Sequence, residues 1–347
     1  MCAVRKSKTV EINQNACCAG KKNCRIIRYF EIMETINGLQ RGKGECYNKN
    51  TECVARKRKK GGICMLFTMK ELLDRASKEN YAIAAPNVGN DLEVNAAIEA
   101  AESLNAPLIL DVKLHDTVKL PCGREFGMWL RARCTEAKVP IAINQDHGGS
   151  FESAVINIQY GATSVMADRS TLPYDENVEE VKKVVELAHA AGISVEAELG
   201  HVGTASQYDL DRDAGLTKTE DAVRYIKETG IDCLAIAIGT AHGAYPKGVE
   251  PTLDFERLAD IKAAVRKEFG DFPLVLHGSS GTPVELLRKA CAMGINKVNI
   301  ATDLNDAAMQ AVLSCDGNGS PFGVAMRAFR DKLKEMIPVY GSDGKAW

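Results

Sequence analysis

Asn144-Gln145-Asp146-His147-Gly148-Gly149 sets a carboxylate beside an imidazole where the apolar run Pro140-Ile141-Ala142-Ile143 ends. Two further histidines occupy matching places: His242 follows Ala235-Ile236-Ala237-Ile238-Gly239-Thr240-Ala241, and His277 follows Pro273-Leu274-Val275-Leu276. Imidazole nitrogens, with or without a carboxylate, are what zinc takes in a catalytic site that keeps one position open. Next to such a cation Asp146 stays ionised at neutral pH and can take a proton from a substrate hydroxyl. The competing reading is three strand-capping histidines and an N-cap aspartate. In a strictly alternating strand Asp146 and His147 point to opposite faces, so both serve one site only if the chain turns there.

The elements that must carry these residues repeat. Short apolar runs at 81–87, 107–113, 140–146, 164–168, 194–199, 233–239, 273–277 and 297–302 alternate with amphipathic stretches, clearest at 92–104, 178–191, 219–229, 255–269 and 283–293. Eight strand-then-helix units predict a single (β/α)8 barrel over 65–347; an open doubly wound sheet is the competing architecture. Gly161, Gly192, Gly230 and Gly294 stand where helices should end in a left-handed cap. In either architecture ligands bind at the carboxyl ends of the strands, where His147, Glu198, His242, His277 and Asn299 fall. His115 and His201 lie near strand ends with no role assigned; His189 sits inside a helix pattern and reads as structural.

The loops after strands seven and eight read His277-Gly278-Ser279-Ser280-Gly281-Thr282 and Asn299-Ile300-Ala301-Thr302-Asp303. Small residues there leave backbone N–H groups bare, and Ser280 and Thr302 add hydroxyls. The pair predicts an anion nest for a phosphate, with Gly243 closing it.

The composition, 45% hydrophobic and 26% charged, is that of a globular protein, and the net charge of -2 hides a split. Residues 1–64 carry 15 Lys and Arg against 5 Asp and Glu, while the rest carries 29 against 41. Seven of the 12 cysteines also fall in that head; the other five stand singly, which predicts reduced thiols and a cytoplasmic location. The cysteine spacings of the head fit neither zinc ribbons nor fingers, aromatic residues are sparse, and no apolar run spans a membrane or serves an export signal, so no nucleic-acid or membrane partner is expected. Lys60-Gly61-Gly62 can be encoded by a purine-rich, ribosome-binding run just before Met65. Residues 1–64 are therefore expected to be an unstructured basic or artefactual extension.

Six motifs in order, Gln145-Asp146-His147, Ser164-Val165-Met166-Ala167-Asp168, Val195-Glu196-Ala197-Glu198-Leu199-Gly200, Ala237-Ile238-Gly239-Thr240-Ala241-His242-Gly243, Leu276-His277-Gly278-Ser279-Ser280-Gly281 and Val298-Asn299-Ile300-Ala301-Thr302, resemble the class II, metal-dependent ketose-bisphosphate aldolases, above all the tagatose-bisphosphate branch. The resemblance implies Zn2+ on His147, His242 and His277 and allows a monovalent cation in addition, with Asp146 as the acid/base. It places Glu198 near the metal and Asp168 at a second metal position or at the wall of the pocket. Gly243, Gly278, Ser279, Ser280, Asn299, Ile300, Ala301 and Thr302 would hold the dihydroxyacetone-phosphate half of the substrate. A homodimer or homotetramer is implied by resemblance alone.

The chain departs from the family pattern where strand five ends. The family's mobile loop carries an acid thought to protonate the enediolate; here that place falls at Ser206, with Asp209 and Asp211 nearby. Lys113 and Arg169 stand near the mouth, where they would hold a second anion or make rim salt bridges, and Lys247 partly substitutes for a family lysine. Three functions follow. The first is an aldolase producing dihydroxyacetone phosphate and glyceraldehyde 3-phosphate from a fructose- or tagatose-type bisphosphate. The second is an aldolase for a ketose 1-phosphate with a carboxylate or sulfonate at its far end. The third is a non-catalytic sugar-phosphate-binding barrel, against which the presence of Asp146 argues.

Overall fold

The computed structural model describes residues 64–347, apart from 115–122, 206–214 and the single positions 244, 247, 250 and 318. All but the last residue of the basic head, together with His115, Ser206, Asp209, Asp211 and Lys247, thus lie outside the described residues. Helix α1 (Met69–Glu79) opens with a capping box, Thr68 N–H donating to the Glu71 carboxylate at 2.8 Å and Glu71 N–H to Thr68 Oγ1 at 3.3 Å. Strand and helix then alternate: β1 (Ile83–Pro86), α2 (Asp91–Ser103), β2 (Leu108–Val112), α3 (Gly123–Thr135), β3 (Ile141–Gly148), α4 (Phe151–Tyr160), β4 (Ser164–Ala167) and α5 (Tyr174–Ala190). They continue with β5 (Ser194–Leu199), α6 (Thr219–Thr229), β6 (Cys233–Ile236), α7 (Phe255–Phe269), β7 (Leu274–Leu276), α8 (Val284–Ala292), β8 (Ile295–Ile300) and α9 (Thr302–Leu313). A further helix, α10 (Pro321–Tyr340), packs against α9 and α2.

All strand pairs are parallel, in the order β1-β8-β7-β6-β5-β4-β3-β2. Between β1 and β2 the ring is closed by a parallel bridge of Asn87 with Asp111, where Val88 N–H donates to the Asp111 carbonyl at 3.0 Å. Closure makes this a (β/α)8 barrel rather than an open sheet. Strands covered by helices outside and packed side chains inside read as continuous apolar runs, which is why the sequence shows them. Gly161, Gly192, Gly230 and Gly294 all have positive φ, the conformation that only glycine adopts without strain.

Helix α1 shuts one end of the barrel. Met69, Leu72, Leu73 and Ala76 pack onto the interior layer of Ile83, Ile109, Ala142, Met166, Cys233 and Val275. Met69 and Lys70 N–H donate to Ser164 and Ser194 hydroxyls at the starts of β4 and β5. With that mouth plugged, the strands' carboxyl ends form the only way into the barrel axis among the described residues. His189 keeps its structural reading: its Nε2 lies 2.9 Å from Asp232, whose carboxylate also accepts the Val195 N–H. Cys134, Cys233 and Cys291 are buried free thiols, and no helix among the described residues is long and apolar enough to cross a membrane.

Candidate metal centre and substrate cavity

Asp146 and His147 reach one site because β3 is bulged between Gln145 and Gly148, where its register with β4 shifts. His147 takes φ 45°, a conformation that bulky residues rarely adopt. Gly148 follows because a Cβ there would stand 2.5 Å from the Met166 carbonyl oxygen. The turn that the sequence left conditional is thus built from a bulge, a left-handed histidine and an obligatory glycine.

The rings of His147, His242 and His277 cluster with centroids 4.7 to 5.9 Å apart, and their ligand atoms lie within 4.8 Å of one another. Each outer nitrogen of two of them faces a carboxylate: His147 Nδ1 is 2.8 Å from Asp168, and His277 Nε2 is 2.7 Å from Glu196. An N–H on each outer nitrogen leaves His147 Nε2 and His277 Nδ1, 3.1 Å apart, with lone pairs aimed at a common point. Burial keeps His277 low and pushes His242 down to about 3, so both rings are neutral ligands at ordinary pH. Burial also opposes charge on His147, but the Asp168 hydrogen bond and the charges of Asp146 and Glu198 outweigh it and raise His147 to about 9. The spot favours positive charge.

A second set of ligand atoms, on His147, Asp168 and Glu198, is equally tight. Glu198 is buried, accepts the Val202 N–H on Oε1, and leaves Oε2 without a partner. Burial and the Asp168 charge push its carboxyl up to about 8. An orphaned carboxylate oxygen is costly to bury unless something cationic meets it. Neutral imidazoles with converging lone pairs, beside that oxygen, fit a divalent metal ion.

Glu196 and Lys297 belong to the buried polar cluster beneath His277, though no role follows for them from local sequence. Fully buried, Lys297 Nζ lies 2.8 Å from Glu196 and 3.3 Å from Asp111, and Asp111 accepts the Asn144 amide at 2.8 Å. The signal was alternation: Glu196 and Glu198, like Lys297 and Asn299, are two apart on strands, so each pair shares the inward face.

Asp146 stands beside the triplet, 3.7 Å from His147 Nε2. Its two oxygens accept the side-chain amides of Asn87 at 2.8 Å and Asn299 at 3.1 Å. Burial alone would raise it, but the neighbouring His147 and His277 imidazoles, the Lys297 ammonium and the Asn87 bond hold it at about 2. It is an ionised, doubly anchored carboxylate.

A cavity of about 500 Å³ opens over these groups. Gly243, Gly278, Ser279, Ser280, Asn299, Ala301 and Thr302 line one end; Ile300 is a core residue and offers only its main chain. Gly278 is required, since a Cβ would press to 2.6 Å on the Ala241 carbonyl carbon. Helix α9 begins here at Thr302 with no side-chain cap from Ala301, and its Asp303 N–H donates to Ser280 Oγ at 3.3 Å. Lys113, past the end of β2, and His201, past the end of β5, also line the cavity. Arg169 is not placed with them: it is buried, and its Nη1 donates to the carbonyls of Gly148 and Asp168, both at 2.7 Å. It braces the β3–β4 seam, leaving the cavity wall to others.

A closed (β/α)8 barrel with a metal-fitting imidazole triplet and an ionised carboxylate at its carboxyl-end mouth defines a barrel enzyme. Residues 67–345 match the sequence profile of fructose-bisphosphate aldolase class-II. The chain is 37% identical over 312 residues to a fructose-bisphosphate aldolase of Thermus caldophilus and 36% over 307 to one of Helicobacter pylori strain J99. Each comparison covers 81% of this chain and all of the relative. The YdjI aldolase of Escherichia coli K12 superposes with a TM-score of 0.71 at 32% identity, covering 82% of this chain and 100% of that one. This chain belongs to the class-II fructose-bisphosphate aldolase family, and is an aldolase, a carbon–carbon lyase of carbohydrate metabolism.

Proposed function

We propose that the protein is a Zn2+-dependent aldolase that reversibly cleaves a fructose- or tagatose-type 1,6-bisphosphate into dihydroxyacetone phosphate and glyceraldehyde 3-phosphate. The observation that carries this reading is Asp146, ionised and fixed by two amides beside three convergent imidazoles. His147, His242 and His277 would hold the metal, with Asp168 and Glu198 offering a second position or room for a monovalent cation. Zn2+ bound there supplies Lewis-acid stabilisation of negative charge on substrate oxygens. The C1 phosphate sits in the nest of Gly243, the Gly278–Ser280 turn and the α9 N-terminus, which fixes the ketose so that C3 and C4 lie beside Asp146. Asp146 takes the C4 hydroxyl proton as the C3–C4 bond breaks, and the bonding pair stays on C3. Asn87 and Asn299 keep the carboxylate turned toward that hydroxyl. Exposed Met309, Leu313 and Phe322 support self-assembly as a homodimer or homotetramer.

A second reading has its own support. Among the described residues, Lys113 is the one lysine or arginine lining the cavity. A single ammonium suits a singly charged far end, a carboxylate or sulfonate on a ketose 1-phosphate, better than a second phosphate dianion. Triose-phosphate release from fructose and tagatose bisphosphates by zinc-loaded protein, with and without chelator, tests both. Chelator-sensitive release from a bisphosphate supports the first; release only from ketose 1-phosphates carrying a carboxylate or sulfonate overturns it in favour of the second.

A further inference from the structure

Breaking C3–C4 leaves an electron pair on C3 that must be protonated before the ketone product leaves, and Asp146 is occupied with the hydroxyl proton. Of the titratable groups lining the cavity, His147 and His242 belong to the imidazole triplet, and Asp168 and Glu198 form the second triplet with His147. Asp209 and Asp211 lie outside the described residues, and among the described ones Lys113 and His201 remain. A proton donor must be held in place, and Lys113 makes no side-chain hydrogen bond among the described residues.

His201 is held. Its Nδ1 lies 3.1 Å from Ser170 Oγ, and Ser170 Oγ donates to Asp168 Oδ1 at 2.8 Å. With that hydroxyl proton directed at the carboxylate, Ser170 can only accept, so His201 Nδ1 carries the hydrogen. Its Nε2 is then the variable nitrogen, a lone pair when the ring is neutral and an N–H when it is charged. The backbone is pinned as well: His201 N–H donates to the Gly215 carbonyl at 2.8 Å, Val202 N–H to Glu198 at 3.0 Å, and the segment bridges His242 through Thr204. The same chain of contacts ends on the metal-fitting side, since the other oxygen of Asp168 meets His147 at 2.8 Å.

Resting on the aldolase reading above, we propose that His201 protonates C3 after cleavage and removes that proton in the condensation direction, with Ser170 positioning its ring. In cleavage the Nε2 proton goes to C3 together with the pair released from C3–C4, leaving His201 neutral. The proton that Asp146 took from the C4 hydroxyl passes to solvent, and His201 recovers one from it. No oxidant or reductant enters.

The test is exchange of dihydroxyacetone-phosphate C3 hydrogen with heavy water, catalysed by zinc-loaded wild type, His201→Asn and Ser170→Ala. Asparagine keeps a donor for Ser170 but cannot relay a proton. H201N is expected to exchange at least about 10²-fold more slowly, with zinc affinity and melting temperature unchanged and S170A falling between. Hexacyanoferrate(III), which oxidises the carbanion and releases it without protonation, should restore aldehyde release from the ketose in H201N. Exchange by H201N at the wild-type rate, or no restoration by the oxidant, overturns the assignment of His201 alone. Failure of the wild type itself to exchange overturns it together with the dihydroxyacetone-phosphate reading.

Discussion

At the scale of single residues the site separates groups that do chemistry from groups that aim them. Asp146 is fully committed to one geometry by Asn87 and Asn299, so Asp146→Asn should lower kcat about 10²- to 10⁴-fold while leaving zinc affinity near wild type, measured by turnover and metal titration. Glu196 is not among the residues lining the cavity; its 2.7 Å contact with His277 Nε2 favours the tautomer that turns Nδ1 inward. Glu196→Gln should weaken zinc binding about 10- to 100-fold, read by chelator competition. Unchanged affinity would show that the Glu196 contact does not orient the ligand.

At the scale of elements, the end of β3 concentrates strain and tight packing in three consecutive residues. Gly148→Ala places a methyl group against the Met166 carbonyl, whereas Gly149 has no atom within 4 Å of an added Cβ. Gly148→Ala is expected to cost about 1–3 kcal/mol in denaturant unfolding, with Gly149→Ala nearly silent. The α5 helix is tied to β5 and β6 by His189 and Asp232, and the Asp232 hydrogen bond raises the His189 pKa above its ordinary value. A raised folded-state pKa stabilises fully below the unfolded value of about 6.5 and is lost as pH rises through the folded one. The stability difference between wild type and His189→Gln should therefore shrink from acidic to alkaline pH; a difference that grows would refute the pairing. The imidazole is partly exposed, so the effect is small.

At the scale of the whole molecule, Lys297 joins β8 to β5 and β2 across the barrel beneath the imidazole triplet. Removing one partner of a buried ion pair strands the others. Lys297→Met should destabilise the fold by about 3–5 kcal/mol, measured by chemical denaturation. A far smaller loss would refute the dependence of the buried Glu196 carboxylate on the Lys297 ammonium.

The sequence by itself determined the barrel and the neighbourhood of its chemistry. Parallel strands buried on both faces leave uninterrupted apolar runs, and helices between them leave a 3.6-residue period, so eight units could be counted and their carboxyl ends located. His147, His242 and His277 were visible because each closes such a run. The tertiary structure alone decided the rest. Whether Asp146 and His147 share a site depended on a bulge in the pairing of β3 with β4, a contact absent from local sequence. Arg169 and Lys113 looked alike as cations near strand ends, yet one is spent on the carbonyls of Gly148 and Asp168 and the other lines the cavity. Glu196 and Lys297 sit 101 residues apart in the chain, and only barrel closure brings them together under His277. Periodicity reports which face a residue occupies; it carries no record of which distant residue will meet it there.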